Sequence, residues 1–188
     1  KTMANINAPF GFNPVEKIGG GAPGKLASYT IANNEANSIF QGDAVMNDSG
    51  NVQQGAAGAN DLTGVFWGCK YDDPTTNKPT FKNQYAQVAA EAEAFVYDDP
   101  YQVFEIQGLT GTASQRSDIQ KSADIDATDG STTDGVSGMT VDLTSLAAAG
   151  AEQLNIIGFG GNEERNQIDS AGCAVYKVVI NMHTYANN

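Results

Sequence analysis

Histidine is almost missing from this 188-residue chain, with His183 alone, and cysteine is scarce, with only Cys69 and Cys173. One histidine excludes a His-based metal site, and a Ser-His-Asp triad would need a serine and an aspartate that nothing near it marks out. His183 is expected as a hydrogen-bonded or exposed residue at the end of the last strand. Two cysteines far apart, in a chain without a secretory signature, are expected as buried free thiols rather than a disulfide. Basic residues are also few, 10 against 22 acidic, giving a net charge of −12 and a pI near 4.2. Phosphate binding requires a lysine and arginine surface that releases counterions, so nucleic acid is not an expected partner. An anionic membrane is disfavoured for the same reason. No span approaches the roughly 20 apolar residues of a membrane-crossing helix, and residues 1–24 hold no apolar stretch of signal-peptide length, so a soluble protein is expected.

What the chain has in quantity is strand and turn. Hydrophobic residues make up 40% and charged residues 17%, a globular balance, while 21 glycines with many Asn, Asp, Ser and Thr residues call for frequent tight connections. The clearest phrase occurs twice: Tyr71-Asp72-Asp73-Pro74 after Leu62 to Lys70, and Tyr97-Asp98-Asp99-Pro100 after Ala92 to Val96. Each follows an apolar, aromatic run. The aspartates offer acceptors for backbone amides, and the proline then fixes φ and stops the ladder.

Along the chain, residues 1–24 read as an extended arm, because Pro9, Pro14, Pro23 and the run Gly19-Gly20-Gly21 interrupt regular structure. Its apolar residues Ile6, Phe10, Phe12 and Val15 must be buried somewhere, either along the arm's own domain or on a neighbouring chain, and they are the candidate contacts to another subunit or to a larger assembly. Strand signals begin at Leu26 and continue through Ser38 to Met46. Ala44 to Gln54 reads as a hairpin about the turn Asp48-Ser49-Gly50. Leu62 to Tyr71 is the strongest strand, and Thr80 to Tyr85, Ala92 to Tyr97 and Gln102 to Gln107 follow. Residues 108–138 read as a long Gly, Ser, Thr and Asp-rich excursion with one short helix in Ser114 to Ala123, capped by Ser114 or Ser117 and making an apolar contact through Ile119. Met139 to Leu143, Gln153 to Phe159 and Ala174 to Met182 return to strand, the last as a central strand. The expected class is all-β: a β-sandwich, jelly-roll or β-barrel body over residues 25–188, with the N-terminal arm.

Few residues suggest chemistry. Gly19 to Lys25 matches the spacing of a phosphate-binding loop, but Leu26 and a strand follow where Ser or Thr and a helix are needed, so a hinge is expected. Asp124, Asp126, Asp129 and Asp134 fail the EF-hand pattern, which wants glycine at the sixth position and glutamate at the twelfth. A non-standard calcium site from this loop or from the Asp-Asp-Pro turns stays open beside the reading of solvated turn carboxylates. Glu163-Glu164, or Glu91 with Glu93, resemble glycosidase pairs only as any acidic chain would. Trp67 with Tyr71, Tyr97 and Tyr101 is an aromatic platform for sugar, or else Phe66 and Trp67 straddle a strand, one into the core and one into an interface. No catalytic role, cofactor or metal is assigned to any residue.

The succession Gln41-Gly42-Asp43-Ala44-Val45, Asp48-Ser49-Gly50-Asn51-Val52 and Leu62-Thr63-Gly64-Val65-Phe66-Trp67-Gly68-Cys69 resembles the Gly-Asp-x-Val, turn, Gly-Val-Phe pattern of tailed-bacteriophage head decoration, or cement, proteins. The likeness runs over about the first 110 residues. It implies a compact β-barrel or jelly-roll body, commonly a homotrimer, that sits on the outer capsid of the virion where major capsid subunits meet and locks the shell after assembly in the host cytoplasm. The runner-up from the residues is a carbohydrate-binding or adhesin-like β-sandwich, with calcium as an option. A third reading is an enzyme built on a carboxylate pair.

Overall fold

The computed structural model describes residues 5–58, 60–161, 166–168 and 172–186. The protein is all-β. In chain order the strands are β1 (Asn13–Lys17), β2 (Leu26–Ile31), β3 (Ile39–Phe40), β4 (Ala44–Asp48), β5 (Asn51–Gln54), β6 (Gly64–Asp72), β7 (Pro79–Lys82), β8 (Gln84–Tyr85), β9 (Ala92–Tyr97) and β10 (Gln102–Gln107). They continue as β11 (Ser122–Ala123), β12 (Ile125–Asp126), β13 (Thr140–Val141), β14 (Leu154–Phe159) and β15 (Val175–Ile180).

Two bodies of sheet pack together. In the first, strands pair in the order β4-β5-β2-β9-β6, and β6 then pairs back to β4 through Ala44↔Val65 and Val45↔Gly64, closing a five-stranded barrel with β7 hung on β6. In the second, β1-β10-β15-β14-β11 form an open antiparallel sheet with β15 at its centre. Successive side chains on a strand point to opposite faces, so the barrel wall serves two cores. Val45, Phe66 and Val96 point into the barrel with Ile31, Val52 and Ala94, while Ala44, Val65 and Leu62 point out onto Phe104, Ile156, Tyr176 and Val178 of the open sheet. The β3–β8 pair, with Ile39 opposite Tyr85, contributes both side chains to the barrel interior. A five-stranded barrel has a narrow interior, since diameter follows strand number. That is why β9 turns only Ala92, Ala94 and Val96 inward and leaves Phe95 and Tyr97 outside.

The turns follow the side-chain chemistry. Ser49 (φ 53°) and Gly50 (φ 90°) both lie in the left-handed region, the two-residue connection that matches strand twist, and Gly50 N–H donates to Asn47 Oδ1 at 3.2 Å. In the first Asp-Asp-Pro turn Asp73 Oδ1 accepts the N–H groups of Thr75 (2.8 Å) and Thr76 (2.9 Å). In the second, Asp99 Oδ1 accepts Tyr101 N–H at 2.9 Å, and Asp99 Oδ2 meets Lys17 Nζ at 2.6 Å.

Two stretches are tied down more closely than their composition suggests. Of the two settings open to the N-terminal arm, residues 12–17 take their own domain: β1 pairs along β10 and Phe12 is 1% exposed, its ring edge-on to Phe104 at 5.7 Å. Pro14 is compatible with this because β1 is the outermost strand and its register shifts between Pro14 and Glu16, which are the two settings where a ladder tolerates a missing N–H. Residues 108–138 are not a loose excursion. The helix expected in Ser114 to Ala123 is a single 3-10 turn, Arg116–Asp118, with Gln115 at its cap position, and Ile119 is 37% exposed rather than packed. Ala123 and Ile125 lie in the inter-sheet core, and a Cβ at Gly130 would collide with the Val136 carbonyl and the Phe40 ring. Small residues here mark close approach of backbone, which composition alone renders as looseness.

Candidate interface

The most distinctive surface is aromatic, and a β-bulge builds it. Along β6 and β9, Phe66 pairs with Val96 and Gly68 with Phe95, so Trp67 is the extra residue of the β6 strand. A bulge re-aims one side chain. Here it turns Trp67 to the outer side, half-buried, edge-on to Tyr97 with ring centroids 5.5 Å apart. Farther along the same face β7 places Phe81 opposite Lys70, and Phe81 stacks on Phe95 with centroids 6.4 Å apart and planes 7° from parallel. Phe81 is 69% exposed, the highest value for any aromatic ring among the described residues. Lys70 Nζ sits over its ring, 5.8 Å from the centroid.

Two depressions flank Trp67, each about 290 Å³. One is lined by Phe10, Phe12, Gln41, Gly42 and Val136. The other is lined by Gln41, Phe81, Lys82, Asn83 and Phe95. The two adjoin at Gln41 and Trp67 along one shallow trough, mostly apolar on the Phe10 side and mixed polar and apolar on the Phe81 side. The Gln41 backbone is held by Gln41 N–H donating to Gly135 O (3.0 Å) and Ser137 N–H donating to Gln41 O (3.0 Å), and the Asn83 side chain by Nδ2 donating to Asp134 O (2.9 Å). The residues 129–138 therefore brace one wall.

Of the four candidate contact residues, the structure brings Phe10 and Phe12 to this trough. Phe10 is half-buried beside Trp67, whereas Phe12 is committed to the inter-sheet core and offers a partner almost no area. Val15 is half-buried in β1. Ile6 is 77% exposed, on backbone held by Gln107 Nε2, which donates to Ile6 O at 2.8 Å, while Ala8 N–H donates to Gln107 Oε1 at 3.1 Å. Neither Ile6 nor Val15 lines the trough. Phe81 and Phe95 are what the sequence reading passed over, and their signal is cross-strand register, which a single strand does not carry.

The other candidate groups are placed as follows. Tyr71 is buried in the barrel core and so leaves the proposed sugar platform, and Tyr101 is 65% exposed in the second Asp-Asp-Pro turn. His183 is fully buried, with Tyr185 N–H donating to its Nδ1 at 3.1 Å, and burial holds its pKa below the ordinary value. Cys69 and Cys173 are buried and unbridged, and burial pushes the Cys69 thiol up to about 12. Among the described residues no three His, Cys, Asp or Glu side chains gather in a group that would hold a metal ion. Glu91 and Glu93 are exposed, and Glu93 Oε1 accepts the Ser28 hydroxyl at 2.8 Å. Glu163 and Glu164 lie outside the described residues. No described helix is long and apolar enough to cross a membrane.

The Gly-Asp pair of the Gly42-Asp43 motif is structural. Asp43 is fully buried, and its Oδ2 accepts Phe40 N–H (2.9 Å) and Gln54 Nε2 (3.2 Å), while Asp43 N–H donates to Phe40 O (2.9 Å). Gly42 O accepts Phe12 N–H at 2.8 Å, so this corner joins the N-terminal segment to the barrel. Burial lifts the Asp43 carboxyl to about 6, against the lowering effect of its hydrogen bonds. No family model, curated protein or solved structure matches this chain.

Proposed function

We propose that this chain is a structural virion protein that binds the outer capsid surface and stabilises the shell by bridging major capsid subunits, as a tailed-bacteriophage decoration protein does. In this reading it acts as a homotrimer on the finished virion, without catalysis, cofactor, nucleic acid or membrane. The observation that carries the reading is an aromatic face on which Phe81 is exposed and Phe10, Trp67 and Phe95 are half-buried on a β body. A patch of clustered rings, with the stacked Phe81–Phe95 pair at one end and the held Asn83 amide beside it, is what a protein partner covers, with the aromatics as anchors. The sequence resemblance points the same way, since the residues that carry it form β4, β5, the β4–β5 turn and the bulged strand β6 that presents Trp67.

Repetition around a symmetric shell multiplies weak contacts, because each added site binds at high effective concentration once its neighbours are engaged. The test is to strip shells of this protein, heat them with and without the purified chain, and follow release of the packaged genome. The reading predicts that added protein raises the release temperature, and an unchanged release temperature at saturating protein refutes it. The sugar-binding reading loses Tyr71 to the core and keeps the Trp67–Tyr97 pair, and it predicts a saturable shift in Trp67 fluorescence with a sugar that scores on a glycan array.

A further inference from the structure

We infer that the docking edge is β7, and that the partner segment it receives is extended and acidic, with a bulky apolar side chain that seats on the Phe81–Phe95 pair. The inference rests on the decoration reading and names the chemistry of the surface bound.

Three observations carry it. First, β7 pairs with β6 through Cys69↔Lys82 to Asp72↔Pro79 and with no other strand among the described residues, so one whole side of its backbone is open. An extended segment can add to such an edge through main-chain hydrogen bonds, while neighbouring pockets take alternate side chains. Second, the trough runs beside that edge. Phe81 is on β7 itself, and its stack with Phe95 gives an incoming apolar group a flat floor.

Third, the charge on this hairpin is opposite to that of the molecule. In a chain with ten cations against 22 anions, Lys70, Lys78 and Lys82 all lie on β6, β7 or their connection and outnumber Asp72 and Asp73 there, with Lys70 and Lys82 at the Phe81 end and both aspartates at the turn end. None of them takes part in the ion pairs between described residues, which use Lys17, Lys121 and Lys177. Lys70 faces Glu93 across the ladder, yet Glu93 binds Ser28 and the ammonium lies over Phe81 instead. Of the nearby acids, Asp73 caps its own turn, and Lys82 adds only a minor downward pull on its carboxyl. A ring-backed ammonium at the rim of the trough selects carboxylates in the partner and repels a basic segment.

The experiment measures binding of the full chain to stripped shells by cosedimentation at low and high salt. It compares wild type, Lys70→Glu with Lys82→Glu, Phe81→Ala, and a Lys25→Glu control at an exposed lysine that lines neither depression. All of these side chains are exposed, so folding is checked by circular dichroism and expected unchanged. The double reversal and Phe81→Ala are each expected to weaken binding about tenfold or more, with Lys25→Glu within about twofold of wild type. Wild-type binding is expected to fall with salt. If the double reversal binds as tightly as wild type, the lysines serve only to keep the edge from unspecific pairing and the inference is overturned, while the decoration reading stands. If wild type does not bind shells at all, the decoration reading fails and the inference with it. If the free wild-type protein forms an oligomer that the double reversal abolishes, the face belongs to a second copy and the acidic capsid segment is refuted.

Discussion

Replacing Phe12 by alanine asks whether the N-terminal segment is part of the fold or an appendage. The ring is 1% exposed, sits edge-on to Phe104 at 5.7 Å, and belongs to the core shared by the barrel wall and the open sheet. Removing a buried phenylalanine costs about 3–5 kcal/mol, from lost transfer energy and the cavity left behind. For a chain of this size each kcal/mol lowers Tm by about 2–4 °C, so a fall of roughly 10 °C is expected. The assay is a urea titration with a thermal melt, run beside Phe81→Ala. Phe81 is 69% exposed, and its loss is expected to change stability by about 0.5 kcal/mol or less. The pair thus separates core from interface: Phe12→Ala melts early, and Phe81→Ala melts with the wild type but binds poorly. A Phe12→Ala protein within about 1 kcal/mol of wild type would refute the placement of this residue in the core.

Deleting residues 1–24 removes β1 and Phe12 together, so its midpoint is expected below that of Phe12→Ala; a truncated protein as stable as wild type would contradict the packing of β1 and Phe12 on the body. Asp43 holds its proton more tightly folded, at about 6, than unfolded, where 3.8 applies, so its contribution to stability is greatest at low pH and declines as pH rises from about 4 through 6. The decline is on the order of 3 kcal/mol, and Asp43→Asn, which keeps an acceptor for Phe40 N–H, should gain on the wild type by that amount between pH 4 and pH 7.5; an equal urea gap at both pH values contradicts this. Because burial pushes the Cys69 thiol up to about 12, alkylation at neutral pH should be negligible until denaturant is added, and fast labelling of Cys69 in the native protein would show that its pocket opens.

Much of the fold was legible because it is written locally. The Ser49-Gly50 turn, the Asp-Asp-Pro stops and the apolar run ending at Ile180 are each fixed by residues within a few positions, and the strands they bound stand where their patterns place them. What the sequence concealed depends on partners distant in the chain. Pro14 reads as a strand breaker until β1 is known to be an edge with a bulge, and Gly130 reads as flexible until Phe40 and Val136 are seen against it. The interface was half legible for the same reason. Trp67 and Phe10 stand out in the sequence as large rings near a strand or an interrupted segment, but Phe81 and Phe95 meet only through the β6–β7 and β6–β9 registers. Closure of the barrel rests on the two-residue pairing of β4 with β6, which no local pattern announces, and that closure is what turns the rings of β9 outward.

The central claim is that this protein coats a capsid. Quantitative mass spectrometry of purified virus particles, reading the copy number of this chain against the major capsid protein, tests it most directly. The account predicts a ratio near one, as expected for a protein repeated over the whole shell. A ratio of a few per cent would place the chain on a spike, fibre or tail, and its absence from the particles would contradict the account outright.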